Sequence, residues 1–160
     1  RQTLFSDFEL DMHQQVEKGQ TLTPDWFDES YLELTRLYYG HKKGVVRVNK
    51  HIKNEWSGIP HFYYNFYVFQ YATSLCAAAA VSEKILEEGD SMRDKYLKEF
   101  LAAGESDYAI PIMNRIDVDM TTTKPFELAI ERGLSKCIGI RNSNHYPHSK
   151  ASKEKMRNFF

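Results

Sequence analysis

Between Glu55 and Glu83 the chain carries no Asp, Glu, Lys or Arg. A neutral run of that length folds either as a helix crossing a bilayer or as a helix enclosed by other protein. Its polar content decides between them. Tyr63, Tyr64, Asn65, Tyr67, Gln70, Tyr71, Thr73 and Ser74 would all be desolvated in lipid, where a lone helix offers them no partners. From His61 to Glu88 no residue breaks a helix, and the alanines at 77–80 favour one strongly. One long central helix over 61–88 is therefore predicted, ended by Gly89 and buried on nearly every side.

On such a helix each residue advances about 100°. Counted from His61, the rings of Phe62, Phe66 and Phe69 fall at about 80–140°, and those of Tyr64, Tyr67 and Tyr71 at about 240–300°. A buried hydroxyl without a partner costs about 1–3 kcal/mol, so this separation asks for a cause beyond packing. Either the phenols, with His61 beside them, line a cavity as hydrogen-bond donors, or they reach water and backbone carbonyls at a groove edge. A donor wall suits a centre where negative charge develops on oxygen, as in amide hydrolysis.

The rest of the chain also reads as helical, giving an all-α fold. Leu4, Phe8, Met12 and Val16 recur every fourth position and form one stripe closed by Gly19. Thr23, Pro24 and Asp25 supply an N-cap, a first-turn proline and a first-turn acid for a helix running to about Tyr39. Residues 40–60 read as a connecting loop, since the short patch of Val45, Val46 and Val48 has no partner strand. Ser91 is the expected cap of a helix carrying Met92, Tyr96, Phe100 and Leu101 up to Gly104. Short helices follow at 106–116 and 125–132 around a polar linker, and from Gly133 the pattern dissolves into an irregular tail.

The formal net charge of −1 divides into +4 over residues 141–160 and −5 before them. That distribution argues against a nucleic-acid partner. Cys76 and Cys137 are too few for a disulfide framework or a four-ligand zinc site and read as idle thiols of a reducing, cytoplasmic setting. The opening RQTLFSDFELD lacks both a secretory signal pattern and an initiator Met, and reads as a start inside a longer parent. No HExxH, GxSxG, GxxxxGK[ST] or GxGxxG occurs. Glu9 and His13, four apart, offer at most two metal ligands and read more simply as a hydrogen-bonded pair. His145 and His148 offer adventitious metal binding only.

Several separated blocks carry a family likeness. WSGIPHFYYNFYVFQYATSLCAAAAV at 56–81 closely resembles the C-terminal region of the oligoendopeptidase F group of zinc metallopeptidases, in the thimet-oligopeptidase-like M3 family. RQTLFSDFELDMH at 1–13, GQTLTPDWF at 19–27, YLELTRLYYG at 31–40 and YLKEFLAAGESDYAIPIMNRIDVDM at 96–120 agree in order. The likeness covers about residues 1–132 and leaves 133–160 as a divergent, basic tail.

The resemblance implies an all-α, cleft-shaped, zincin-like peptidase acting on short peptides, whose zinc ligands precede this region. It implies that His61 and Tyr67 stabilise the oxyanion and that Tyr64, with Tyr63 and Tyr71 as second choices, binds substrate. The chain alone would hold no zinc and be inactive, with the preceding part of the same enzyme as its partner and self-association through the uncovered phenols. No nucleic-acid or membrane partner is implied. The alternative is a non-catalytic helical interaction module that keeps the scaffold.

Overall fold

The Thr23 hydroxyl accepts the Trp26 N–H at 3.2 Å, closing one of the free donors at the start of a helix whose first residue is Pro24. That helix, α2 (Pro24–Tyr38), follows α1 (Gln2–Glu17), and Gly19, at φ +76°, supplies the left-handed turn just beyond α1. The computed structural model describes residues 1–143. Its other α-helices are α3 (Phe69–Glu88), α4 (Asp90–Lys95), α5 (Ala109–Arg115) and α6 (Lys124–Ser143). No strand occurs among the described residues, as the all-α expectation required.

The chain forms two compact units, Arg1–Leu75 and the described residues from Cys76 onward. In the first unit Leu4, Phe5, Phe8, Tyr31, Ile59 and Val68 make the buried core. Phe8 is its hub, with ring centroids of Tyr31 and Phe62 at 5.2 Å and those of Trp26 and Phe27 at 6.3 Å. Met12 packs at the edge of this core, but Val16, the last member of the predicted stripe, is 58% exposed.

The expected loop at 40–60 is largely wound into 3-10 turns at His41–Lys43 and Lys50–Gly58. The second is held to α2 by polar contacts. Asp28 accepts from the Trp56 indole N–H at 2.8 Å and from Asn54 at 3.0 Å, and pairs with Lys53 at 3.0 Å. The Tyr31 hydroxyl donates to Glu55 at 2.6 Å, and Arg1 pairs with the same carboxylate. The Trp56 and Lys53 bonds hold the Asp28 carboxyl below its usual range. Against the opposing effect of burial, Arg1 and Tyr31 do the same for Glu55.

In the second unit Ala80, Val81, Met92, Met113, Ile116 and Val118 form the core. Gly89, at φ +69°, takes the N-cap position predicted for Ser91, and the helix beyond α4 widens into a π turn over Tyr96–Phe100 before Gly104. Arg132 of α6 pairs with Glu83.

Two expectations are corrected, the second over residues 133–143 only. The helix predicted over 61–88 begins only at Phe69, because packing of Phe62 and Val68 into the first core holds the intervening backbone out of helical form. Nor is it buried on nearly every side: Ala80 and Val81 are its buried residues, while Phe69, Tyr71, Leu75 and Leu86 are exposed. The irregular tail expected from Gly133 is instead helical to Ser143, since one glycine inside a helix costs only about 1 kcal/mol. His145 and His148, and the rest of the predicted tail, lie outside the described residues, as does the Cys137 side chain.

Candidate functional site

After Gly58 the chain runs extended at Ile59, and Pro60 opens a 3-10 turn over Pro60–Tyr63. Phe62 drops into the core, 5.5 Å from Phe5 and 5.2 Å from Phe8. Tyr64 is extended again, Phe66 takes a left-handed backbone at φ +52°, and Val68 is fully buried just before α3. Phe62 and Val68 thus anchor a short non-helical arch. Between them, the Phe66 N–H donates to Glu9 Oε1 at 2.8 Å. That carboxylate, on α1, is only 2% exposed.

The arch brings an imidazole and three phenols together. His61 stacks on Tyr67 at 6.2 Å and meets Tyr71 edge-on at 5.4 Å, with its Nε2 3.4 Å from the Tyr71 hydroxyl. Tyr67 lies 5.9 Å from Tyr71 and 6.3 Å from Tyr64. Three of the rings are open to solvent, with Tyr64 at 64%, Tyr67 at 46% and Tyr71 at 44% exposure. His61 Nδ1 is buried without a hydrogen-bond partner among the described residues. Tyr63 stands apart, its hydroxyl donating to the Ser57 carbonyl at 3.0 Å.

The nearby Tyr67 hydroxyl raises the Tyr71 phenol above its usual range, so Tyr71 stays protonated and able to donate near neutrality. Beside the cluster lies an open recess of about 570 Å³, lined by Arg1, Phe5, Glu55, Pro60 and His61 among others. Chemically this is a set of neutral donors around one imidazole, suited to an anionic oxygen. It contains no nucleophile of its own.

The phenols meet for a reason other than helical projection, since none of residues 61–68 is α-helical. Nor do the phenylalanines share one fate. Phe62 is half-buried against the core, whereas Phe66 is 46% exposed and meets the His13 ring at a tilt, 4.4 Å away. Glu9 is the residue that sequence reasoning assigned wrongly: its partner is a backbone amide 57 positions away, not His13. Among the described residues no three metal-ligating side chains converge, and no helix is long and apolar enough to cross a membrane.

The chain belongs to peptidase family M3, whose family model matches residues 1–132. It is 46% identical over 129 residues to the oligopeptidase PepF of Bacillus subtilis, covering 81% of this chain and 19% of that protein. It is 40% identical over 131 residues to the plasmid oligoendopeptidase F of Lactococcus lactis, covering 82% of this chain and 21% of that one. Among solved structures, oligoendopeptidase-F from Enterococcus faecium superposes with a TM-score of 0.80 at 42% identity, over 89% of this chain and 26% of that one. The chain therefore spans about a fifth to a quarter of the length of these relatives.

Proposed function

We propose that this chain is the substrate-binding, oxyanion-stabilising portion of a cytoplasmic zinc oligopeptidase that hydrolyses short peptides. Residues 1–132 supply the family body and 133–160 an appended segment. The observation that carries this proposal is the convergence of His61, Tyr67 and Tyr71, with Tyr64 alongside, on a solvent-open face. As the scissile carbonyl becomes tetrahedral, its oxygen gains charge, and a fixed O–H aimed at it stabilises that state more than the ground state. Tyr67 and His61 take that role, while Tyr64 and Tyr71 hold the peptide by hydrogen bonds. Tyr63 is the weakest member, because its hydroxyl is already engaged by Ser57.

Peptidases of this family depend on zinc in general. One imidazole flanked by phenols does not fit a zinc site, so the metal would be held by other parts of the longer enzyme. The chain's own contribution is binding and orientation, and alone it would be inactive. In the complete enzyme, Tyr67→Phe should lower kcat by roughly 10²–10³-fold, with KM and thermal midpoint little changed. An unchanged kcat would remove Tyr67 from the oxyanion role.

The exposed aromatic side chains between Tyr63 and Tyr71 also suit a non-catalytic interaction module. The coding sequence upstream of Arg1 separates the two: an HExxH followed by a glutamate ligand favours the peptidase portion, and a start codon directly before Arg1 favours the module.

A further inference from the structure

The six arginines from Arg1 to Arg132 fall into two groups. Arg1, Arg93, Arg115 and Arg132 each rest on a carboxylate, those of Glu55, Asp90, Asp107 and Glu83. Arg36 and Arg47 have no carboxylate partner among the described residues. Both line one open recess of about 830 Å³, together with Lys50, His41 and His51, and no acidic residue lines it among the described residues. The Arg36 Nε is buried without a hydrogen-bond partner among the described residues.

The recess is built from fixed backbone. His41 Nδ1 accepts the Val48 N–H at 3.0 Å, tying the turn after α2 to the segment that carries Arg47. A backbone amide can only donate, so in neutral His41 the ring proton sits on Nε2, which becomes a further donor. Asn49 accepts the His51 N–H at 3.1 Å and starts the 3-10 turn at Lys50. Arg36, Arg47, Lys50 and His41 thus line one space with no acidic residue beside them among the described residues. A carboxylate would bring one charge to three permanent cations. A phosphoryl group brings about two charges and several oxygens that match the guanidinium fork.

We infer that this recess binds the phosphoryl group of a small molecule, a phosphate or diphosphate, through Arg36, Arg47, Lys50 and the His41 Nε2–H. The site is independent of the aromatic cluster and of the peptidase proposal. The experiment titrates inorganic pyrophosphate into the isotope-labelled chain, reading the Val48 amide shift and the thermal midpoint. A saturable Val48 shift with a raised midpoint is expected, and it should persist at roughly 0.15 M salt.

Arg47 and Lys50 are both exposed, so Arg47→Gln with Lys50→Gln leaves the fold intact while removing two charges. Lys42→Gln with Lys43→Gln removes the same charge outside the recess. The first pair should weaken binding roughly tenfold and the second by less than about twofold. No saturable shift, or equal losses in the two pairs, would overturn the site in favour of a diffuse charge effect.

Discussion

Glu9→Ala isolates the tie that shapes the aromatic arch. The carboxylate is buried and accepts the Phe66 N–H at 2.8 Å, at a residue held left-handed at φ +52°. A hydrogen bond from a backbone amide to a carboxylate contributes about 1.5–3 kcal/mol, and an orphaned amide costs a further 1–3. Release of the strained Phe66 backbone returns about 1–3 kcal/mol, and the lost carboxylate no longer has to be desolvated.

The net expectation is therefore a loss of about 2 kcal/mol, smaller than the sum of the broken contacts suggests. Glu9→Gln keeps an acceptor oxygen in place, and a neutral bond is about half as strong, so it should recover roughly half of that loss. Urea unfolding of the three proteins, with amide exchange at Phe66 as the local probe, measures both quantities. If Glu9→Ala lies within about 0.5 kcal/mol of the parent, or if Gln and Ala are indistinguishable, the carboxylate does not hold the arch.

Asp28 makes the fold acid-sensitive. Its carboxyl titrates lower folded than unfolded because of Trp56 and Lys53, so its contribution is full above about pH 4 and is lost as pH falls through the folded value. Asp28→Asn should weaken the fold at neutral pH and flatten its acid dependence; an equally steep urea-midpoint profile would assign the sensitivity to other carboxylates. Gly40→Ala should cost at least about 1–2 kcal/mol from its left-handed φ of +65°, with added crowding from Val45 atoms at 3.1 Å from the new Cβ. Gly44→Ala, at φ +72° with open space around it, is the control carrying the backbone cost alone, and calorimetry of the two should separate strain from crowding.

Helix boundaries set by local chemistry were readable in advance. Thr23, Pro24 and Gly19 act within one turn of themselves, so their meaning survives without knowledge of the rest of the chain. The all-helical class and the grouping of His61, Tyr64, Tyr67 and Tyr71 were also legible. The backbone that achieves the grouping was not. An unbroken run with helix-forming alanines at one end reads as a single helix, whereas burial of Val68, packing of Phe62 against the core and a bond to Glu9 override that preference over 61–68. A phenylalanine with positive φ leaves no trace in composition or spacing. The recess at Arg36 and Arg47 was equally hidden, because its basic residues come from a helix and a segment that looked like plain connection.

The late start of α3 sets an order of assembly. The alanine-rich part of that helix needs only neighbours one turn away, and so does α1. The arch needs a bond closing across 57 positions, which forms only once α1 and the chain around Phe66 have met. The aromatic face is therefore among the last parts of its unit to lock and the first to loosen, so mild destabilisation should scatter the tyrosine rings before it melts the helices.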